Sequence, residues 1–261
     1  MLLDQSDGVF QAGDLAAEEG DRTAGWGRFL PRLGQNLKAA QNYTEFADRL
    51  PGSRVLIVGG RILGDGMDRL LERGLELVET DIALGPRTQI VCDAHNLPFV
   101  DETFDGVVAQ AVLEHVTDPA SCVAEIRRVL KPGGLVYAET PFMQQVHAGA
   151  FDFTRFTHLG HRRLFRDFDE VDSGAACGPA MALAWSFTGL LQSFATTSRQ
   201  RRVARAIGHL ASFPLRYVDP FVIDRPGALD AASAVYFLGR KGTSRLSDAE
   251  LPKHYRGMDQ R

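Results

Sequence analysis

The chain has 261 residues, of which 44% are hydrophobic and 24% are charged, as is ordinary for a globular protein of one large domain or two small ones. A formal net charge of −4 gives no support for nucleic-acid binding, so we expect no nucleic-acid partner. Three scattered cysteines without a C-x-x-C pair argue for a reducing compartment and against a structural zinc site, and we predict no metal ion.

The beginning of the chain has neither a targeting pattern nor a strong structural one. Asp4 and Asp7 stand where a signal peptide would carry lysines, and no stretch of the chain reaches 18 apolar residues, so we expect a cytoplasmic protein. Residues 1–25 are rich in glycine, alanine and acidic residues and are predicted to be a mobile tail. Apolar residues at helical spacing then predict helix between 26 and 50, ended by Pro51 and Gly52.

A strand followed by a glycine-rich turn stands next in the chain. The four consecutive apolar residues 55–58 are typical of a parallel strand buried on both faces, and a helical face begins at Leu70. Such a strand, turn and helix form the first half of a nucleotide-binding βαβ unit, in which glycines let the backbone approach a ligand. Arg69 occupies the place of the third glycine of a dinucleotide fingerprint, so that motif is incomplete. The glycines of the turn are Gly59, Gly60, Gly64 and Gly66.

The second predicted strand, residues 75–81, ends in an acidic residue about twenty positions after the glycines. In nucleotide-binding units a carboxylate at this place accepts hydrogen bonds from both ribose hydroxyls. Asp81 is the first candidate for this role. Glu79 is a rival, and a solvated strand end without a ligand is an equal alternative.

The rest of the chain up to residue 139 continues the alternation of strands and helices. Asp118 and Pro119 are suited to begin the helix of this region as its N-cap and first residue. Strand and helix alternating through short loops predict an α/β fold with a doubly wound sheet. The further strands are predicted at residues 88–92, 104–110, 135–139, 168–177 and 234–238, with the helix at 118–130.

Six short motifs in this order resemble a class I S-adenosylmethionine-dependent methyltransferase of the type 11 group. The resemblance implies a Rossmann-like, doubly wound sheet of seven strands, with S-adenosylmethionine as cofactor. It places the last strand antiparallel between the fifth and sixth strands, after a helical insertion, in a methyltransferase domain over residues 26–242. The motifs are Val-Leu-Ile-Val-Gly-Gly at 55–60, Thr-Asp-Ile at 80–82, Cys-Asp-Ala-His-Asn-Leu-Pro-Phe at 92–99, Phe-Asp-Gly-Val-Val-Ala-Gln at 104–110, Leu-Glu-His-Val at 113–116 and Arg-Val-Leu-Lys-Pro-Gly-Gly at 128–134.

The resemblance also implies a role for each matching position. The glycine turn would pass under the methionine portion of the cofactor, and Asp81 would bind its ribose. Asp93 would reach the adenine amino group, with the N–H of Ala94 at a ring nitrogen, and Gln110 would lie near the sulfonium. Ile57 stands where many family members carry an acidic residue, so the methionine amino group would be held differently, with Asp65 as a candidate. The cofactor-binding glycines would be Gly59, Gly60 and Gly64.

The segment after the fifth strand points to the acceptor. It contains His147 and the run Asp-Phe-Thr-Arg-Phe-Thr at 152–157, and it resembles a bacterial subgroup often associated with glycan or cell-envelope biosynthesis. We expect His147 to be the catalytic base, with His115 as second choice. Asp152 and Arg155 are expected to bind substrate, although a loop core with a structural ion pair between these two is the alternative.

The function that the sequence favours is therefore methyl transfer to a hydroxyl of a small molecule or a saccharide, such as a cell-envelope glycan or its precursor. A non-catalytic subunit with the same fold is the first alternative. A nicotinamide-dependent oxidoreductase or epimerase is disfavoured by the missing third glycine and by the absence of a Tyr-x-x-x-Lys motif.

Residues 180–226 are predicted to be a helical insertion with an apolar stripe and nearby arginines. The stripe predicts either a lid packed on the domain, or a peripheral contact with the inner face of an anionic membrane, or a dimer interface. Residues 243–261 are expected to be a polar, disordered tail. The stripe residues are Leu183, Phe187, Leu190, Leu191 and Phe194, continued by Val203, Ile207 and Leu210, and the arginines are Arg199, Arg201, Arg202 and Arg205.

Overall fold

The structure, a computed structural model, describes residues 36–259; the expected tail at 1–25 and the first part of the helical region at 26–50 lie outside this range. Its strands are β1 (Arg54–Val58), β2 (Glu76–Asp81), β3 (Ile90–Val91), β4 (Phe104–Gln110), β5 (Leu130–Pro141), β6 (Asp169–Cys177) and β7 (Ala234–Arg240). The helices are α1 (Ala39–Arg49), α2 (Asp68–Glu72), α3 (Pro119–Val129), α4 (His158–Leu164), α5 (Pro179–Ser193), α6 (Ser198–Ser212), α7 (Asp219–Val222) and α8 (Pro226–Asp230). Short 3-10 turns lie at Gly149–Phe151, Phe213–Tyr217 and Leu251–His254.

The seven strands form one sheet in the order β3-β2-β1-β4-β5-β7-β6. The strands from β3 to β5 are parallel, whereas β7 is antiparallel to both β5 and β6, as the sequence predicted. The strand order reverses between β1 and β4. In open α/β sheets ligands bind at the carboxyl ends of the strands beside this reversal, so the topology directs attention to the turn after β1.

The sheet is covered by helices on both faces because β1 is apolar on both of its faces. Leu56 and Val58 belong to a core that includes Ile126 of α3, on one side of the sheet. Val55 and Ile57 belong to a second core that includes Phe46 of α1, on the other side. This confirms the prediction of a strand buried on both faces and of a doubly wound architecture.

Helix α3 begins where the sequence predicted. The Asp118 carboxylate accepts hydrogen bonds from the backbone N–H groups of Ala120 and Ser121, and Pro119 occupies the first helical position. Strand β5 begins directly after the helix, at Leu130, five residues earlier than expected. Residues 131–134, between the predicted helix at 118–130 and the predicted strand at 135–139, are therefore part of a longer β5, in which residue 130 pairs with Phe104 of β4.

The insertion between β6 and β7 is helical, as expected, and contains α5 to α8. The beginning of helix α5 is capped by a residue that is distant in the sequence. The buried carboxylate of Asp219 accepts hydrogen bonds from the N–H groups of Ala180 and Met181 at 2.8 and 3.0 Å. Helices α5 and α6 contact each other where Gly208 lies against Thr188; a Cβ atom on the glycine would be 2.7 Å from the Oγ1 atom of the threonine.

The apolar stripe of the insertion faces outward, which corrects the expectation of a lid whose apolar side packs on the domain. Phe194 is 78% exposed and Leu210 is 72% exposed. The reason is that the small residues of α5, together with Gly208 and Thr188, form the packed side, and the large side chains remain on the opposite side. The other stripe residues that are exposed are Leu183, Phe187, Leu190, Val203 and Ile207.

The chain after β7 returns to the domain, so the expectation of a disordered tail is wrong for the residues that the structure describes. Leu251 is buried, and the Arg256 guanidinium donates a hydrogen bond of 2.6 Å to the carbonyl oxygen of Ser173 in β6. The sequence of this segment is polar because its contacts are mostly hydrogen bonds and ion pairs. None of the helices within residues 36–259 combines the length and hydropathy that crossing a bilayer requires.

Candidate functional site

The turn after β1 lies at the point of the sheet where the strand order reverses. Gly59 has a φ of +74°, a conformation that favours glycine, and a Cβ atom on it would collide with the Val112 side chain. The N–H of Gly60 donates a hydrogen bond of 2.8 Å to the carbonyl oxygen of Thr80, which fixes the turn to β2. Both glycines thus lie in the turn after β1, where the strand order reverses, and their contact with the methionine portion of the cofactor stays a prediction.

The carboxylate of Asp81, at the end of β2, is directed back to this turn. It accepts hydrogen bonds from the backbone N–H groups of Arg61 at 3.3 Å and Ala83 at 3.0 Å. Its rival Glu79 is buried and forms an ion pair with Arg87. The geometry therefore favours Asp81 over Glu79 as the acceptor for two hydroxyl groups.

Asp93 follows β3 at the same edge of the sheet, and its carboxylate is half-exposed. One oxygen of this carboxylate accepts a hydrogen bond from the backbone N–H of His95 and contacts Nδ1 of the same imidazole at 2.6 Å. The Nε2 atom of His95 accepts from the N–H of Asp118, so Nδ1 carries the proton. Ala94 is half-buried against the core. His95 has no role among the expectations drawn from the sequence, although an imidazole two residues after the aspartate is a usable signal.

A buried polar network lies between the ends of β4 and β5. The Nε2 atom of Gln110 donates to Glu139 at 2.9 Å and to the carbonyl oxygen of Asp65 at 3.2 Å, and the Nδ2 atom of Asn36 donates to the same carboxylate at 2.6 Å. Burial raises the pKa of Glu139, although hydrogen bonds from its neighbours oppose this effect. A Cβ atom on Gly64 would overlap the amide of Gln110.

The network joins three predicted positions, namely Gly64, Asp65 and Gln110, around a carboxylate that the sequence analysis did not single out. Glu139 lies within a run of buried strand residues, and nothing local distinguished it from a residue with a purely structural role.

The chain bends sharply immediately after β4. Ala111 has a φ of +53°, which is unusual for a residue with a side chain, and its N–H donates to the carbonyl oxygen of Glu139 at 3.1 Å. Strained backbone of this kind is often found at functional sites. The bend leads into Val112, which contacts the glycine turn, and then into the pair Glu114 and His115.

The structure brings His115 and His147 together, although they follow different strands. Their Nε2 atoms are 3.2 Å apart, and the imidazole rings meet edge to face with their centroids 4.9 Å apart. Oε1 of the fully buried Glu114 carboxylate lies 3.6 Å from Nε2 of His115 and 3.7 Å from Nε2 of His147. Both predicted catalytic histidines are therefore in one cluster, and Glu114 is a third member that the sequence analysis missed.

Burial decides the ionisation of this cluster. It raises the pKa of Glu114 to about 8. Burial also lowers the pKa of both histidines, although hydrogen bonds and nearby carboxylates oppose the shift. Neutral imidazoles can each offer one nitrogen lone pair to a ligand or a proton.

Asp152 and Arg155 contact each other in the loop that carries His147. The guanidinium forms a two-pronged ion pair with the buried carboxylate of Asp152, and it donates further hydrogen bonds to the carbonyl oxygens of Gln144 and Gln145. The N–H of His147 donates to the same carboxylate at 2.9 Å. Both residues are thus engaged in positioning the loop, and direct contact with a substrate remains a prediction for them.

Comparison with known families adds independent information. Residues 66–138 match the family described as "Methyltransferase domain". The matched range contains β2 to β4, α3 and most of β5, and it includes Asp81, Asp93 and Gln110. It ends before the segment at 147–157, so the proposed relation to a bacterial subgroup with that segment stays a prediction.

Curated relatives match over part of their length. A demethylmenaquinone methyltransferase of Renibacterium salmoninarum is 34% identical over 41% of this chain and 49% of the relative. A ubiquinone/menaquinone biosynthesis C-methyltransferase of Cellvibrio japonicus is 43% identical over 30% of this chain and 28% of the relative. The chain thus spans half or less of the length of the curated relatives that it matches.

Among solved structures, the chain is similar to a phosphoethanolamine N-methyltransferase 2 of Haemonchus contortus in complex with phosphomonomethylethanolamine and S-adenosylhomocysteine. The TM-score is 0.51 and the identity 17%, over 89% of this chain and 60% of the other. At this identity the likeness concerns the fold alone, and it confirms the Rossmann-like architecture predicted from the sequence.

Proposed function

We propose that this chain is an S-adenosylmethionine-dependent methyltransferase that acts on a hydroxyl group of a small molecule or saccharide. The observation that carries the proposal is the edge of the sheet at which a glycine turn, the Asp81 carboxylate and the Asp93 carboxylate follow β1, β2 and β3. Asp81 and Asp93 lie within the range that matches the methyltransferase domain, and the glycine turn after β1 begins just before it. The residues fit the cofactor, because Gly59 has no room for a side chain and Asp81 is preoriented by two N–H groups.

The bound cofactor would supply a methyl group that its sulfonium has already activated. The protein then has two tasks, namely to hold the acceptor oxygen in line with the methyl group and to accommodate the proton that the hydroxyl loses. The cluster of Glu114, His115 and His147 follows β4 and β5 at the edge where the cofactor would bind. A neutral histidine is a suitable proton acceptor for a hydroxyl near pH 7, and we assign this role first to His147.

The choice of a hydroxyl acceptor rests on this pair of histidines. The curated relatives include C-methyltransferases by name, but the matched stretch covers only a minor part of their length. The loop from His147 to Arg155, which holds the second histidine in place, lies outside the range that matches the domain family. We therefore propose that this loop belongs to the part of the chain that selects the acceptor.

We also propose that the insertion docks on an anionic membrane, where a lipid-linked acceptor would be available. The stripe of exposed apolar residues on α5 and α6 is accompanied by four exposed arginines, and each cation can contribute about 1 kcal/mol near an anionic surface. An apolar groove of about 690 Å³, lined by Leu183, Leu215, Val218 and Met258 among others, lies beside the stripe. The arginines are Arg199, Arg201, Arg202 and Arg205.

The membrane proposal is tested by sedimentation with liposomes. Vesicles that contain anionic lipid should carry the protein down at low salt, neutral vesicles should carry down less, and the variant Arg201→Glu/Arg202→Glu should lose the difference. Equal recovery in the supernatant with and without anionic vesicles would reject the proposal. If the protein then proves dimeric by light scattering, and Phe194→Ser makes it monomeric, the stripe is a dimer interface.

The function itself is tested by ligand binding followed by turnover. Calorimetry should show binding of S-adenosylmethionine and S-adenosylhomocysteine but not of NAD, and labelled methyl groups should pass from the cofactor to hydroxyl-containing acceptors in a panel that includes saccharides and lipid-linked saccharides. Binding without transfer to any acceptor would favour a non-catalytic subunit. Binding of NAD alone would favour an oxidoreductase or epimerase.

A further inference from the structure

The cluster of Glu114, His115 and His147 brings two imidazole nitrogens and one carboxylate oxygen to within 3.7 Å of one another. The Nδ1 atom of His115 lies 2.8 Å from the carbonyl oxygen of Phe151, which can only accept a hydrogen bond, so this nitrogen carries the proton. The Nε2 atom of His115 consequently has a lone pair, and it points at its counterpart on His147.

The second imidazole is oriented in the same way. The Nδ1 atom of His147 lies 3.4 Å from an oxygen of Asp152. Both oxygens of this carboxylate accept hydrogen bonds from the Arg155 guanidinium, and one of them also accepts from the backbone N–H of His147. The carboxylate therefore favours the proton on Nδ1 of His147 and leaves the lone pair on Nε2. Two lone pairs thus meet at 3.2 Å.

A buried carboxylate completes the cluster. Glu114 has no exposed surface, and neither of its oxygens has a hydrogen-bond partner among residues 36–259. The nearest nitrogens are the two Nε2 atoms at 3.6 and 3.7 Å, which is too long for a hydrogen bond. A buried polar group without a hydrogen-bond partner is destabilising, and more so when it is charged, so a ligand that binds the Glu114 oxygens would remove this penalty.

The separations fit donor atoms around a common metal ion. Nitrogen and oxygen ligands lie about 2.0–2.2 Å from zinc, and ligands at that distance are about 3.3–3.8 Å apart for angles between tetrahedral and trigonal. The three observed separations are 3.2, 3.6 and 3.7 Å. Histidines that bind metals commonly direct their other ring N–H at a backbone carbonyl or a carboxylate. The Nδ1 atom of His115 has such a partner in the carbonyl oxygen of Phe151, and Nδ1 of His147 lies 3.4 Å from the Asp152 carboxylate.

We infer that Glu114, His115 and His147 bind one divalent first-row transition-metal ion. Two imidazoles and one carboxylate form a donor set typical of zinc and of non-haem iron(II), whereas magnesium and calcium prefer oxygen donors alone. The inference departs from the expectation of no metal, which rested on cysteine spacing. That expectation overlooked a site assembled from two separate loops.

The site is open on one side, because the two imidazoles are each about a quarter exposed while the carboxylate is fully buried. An open coordination position is the mark of a catalytic rather than a structural site. If the proposed function holds, the acceptor hydroxyl would occupy this position and release its proton to solvent more readily. Its oxygen would then bond to the methyl carbon as the carbon–sulfur bond breaks, and His147 would act as a ligand instead of a base.

The test measures metal binding directly, with the full chain stripped of metal by a chelator. Calorimetry with Zn²⁺ should show one equivalent bound, and Co²⁺ should produce visible absorption bands of a low-coordinate site at the same stoichiometry, whereas Mg²⁺ should not compete. Glu114→Gln, which keeps the shape of the side chain, and His147→Ala should each weaken Zn²⁺ binding at least 100-fold. The matched control is His254→Gln, since His254 also lies near a carboxylate, at 3.6 Å from Glu170, but belongs to no such cluster.

The outcomes separate this inference from the proposed function. Absence of a stoichiometric Zn²⁺ or Co²⁺ site in the unmodified chain, or equal affinity in the variants at 114 and 147, would overturn it. Because the cobalt spectrum is recorded on the unmodified chain, it decides the matter even if a variant fails to fold. Binding of S-adenosylhomocysteine, measured on the same metal-free protein, should persist; loss of metal binding alone contradicts the metal site, and loss of cofactor binding alone contradicts the methyltransferase.

Discussion

The guanidinium of Arg155 donates hydrogen bonds to both oxygens of the Asp152 carboxylate. The same carboxylate accepts a hydrogen bond of 2.9 Å from the backbone N–H of His147. The same guanidinium donates to the carbonyl oxygens of Gln144 and Gln145. One arginine therefore fixes the chain on both sides of the histidine. The position of His147 relative to His115 depends on this contact, even though Arg155 itself is not part of the histidine cluster.

We expect Arg155→Lys to lower turnover about 10–100-fold, because a lysine cannot reproduce the planar, two-pronged contact that orients the loop. The affinity for S-adenosylhomocysteine should stay unchanged, since the cofactor edge of β1 and β2 is not involved. Initial rates over a range of acceptor concentrations, together with calorimetry, check this prediction. A lower affinity for the cofactor in this variant would show that the arginine has a wider structural role.

We expect Asp81→Ala to weaken cofactor binding by about 1.5–3 kcal/mol, because charge-assisted hydrogen bonds to the ribose would be lost. Titration calorimetry with S-adenosylhomocysteine measures the effect. Glu76→Ala is a suitable control, as Glu76 lies at the opposite end of β2 and is exposed. An unaltered affinity in the Asp81 variant would transfer the ribose contact to Glu79 or to another residue.

We expect His147→Ala to lower turnover about 10²–10⁴-fold while leaving cofactor affinity nearly intact, whether the histidine acts as a base or as a ligand. The comparison with Glu114→Gln distinguishes these two roles. If His147 acts only as a base, Glu114→Gln should lower turnover far less than if Glu114 and His147 bind a metal ion together. Rates are to be measured with and without added Zn²⁺, and full activity of the His147 variant would remove this residue from the mechanism.

The stability of the domain should fall below pH 6.5 because of buried histidines in α4. Burial lowers the pKa of His161 to about 3 and that of His158 to about 4, with charged neighbours including Arg256, Arg162 and Glu170 around the latter. Below pH 6.5 the unfolded chain binds protons that the folded chain does not. Each histidine should therefore remove up to about 1.4 kcal/mol of unfolding free energy per pH unit, until its folded pKa is reached.

The variant His161→Phe tests the contribution of one of these groups. It keeps an aromatic ring against Phe165 and Phe237, which contact the imidazole, and it removes the titration. Urea denaturation between pH 6.5 and 4 should show a shallower loss of stability than in the unmodified protein. The same slope in both proteins would mean that His161 has the same pKa in the folded and the unfolded chain.

We expect Asp219→Ala to destabilise the insertion, because the buried carboxylate caps the beginning of α5 through two hydrogen bonds. Loss of a cap of this kind costs about 0.5–2 kcal/mol. Asp219→Asn, which retains one acceptor oxygen, should cost less. Hydrogen exchange of the amides at the beginning of α5 is the measurement, and equal protection in the alanine variant would contradict the cap.

The sequence predicted those parts of the site whose signal is local. The glycine turn, Asp81 at the end of β2 and the cap at Asp118 each depend on residues that are neighbours in the chain. The cluster at His115 and His147 was less accessible, because its members come from two loops after different strands. Each histidine was noticed alone, and Glu114 was read only as part of a motif, since no pattern in one sequence tells which side chains meet.

The insertion shows that the helical spacing of apolar residues does not predict which side of a helix is buried. Leu183, Phe187 and Leu190 of α5 are all exposed, and their spacing predicted a common side of the helix, but spacing does not tell whether that side is covered. The small residues decided the packing, since Gly208 allows α6 to approach Thr188 closely. The tail after β7 was misjudged for the related reason that polar contacts such as that of Arg256 with β6 leave no apolar pattern.

The insertion begins and ends at the same place. Cys177, the last residue of β6, pairs with Ala234, the first residue of β7, and the N–H of Ser233 donates to the carbonyl oxygen of Cys177 at 2.9 Å. The segment between these residues therefore leaves the sheet and returns to the same point, so that its length does not disturb the pairing of the two strands. A change in the length or composition of this insertion would therefore leave the edge formed by β1, β2 and β4 as it is.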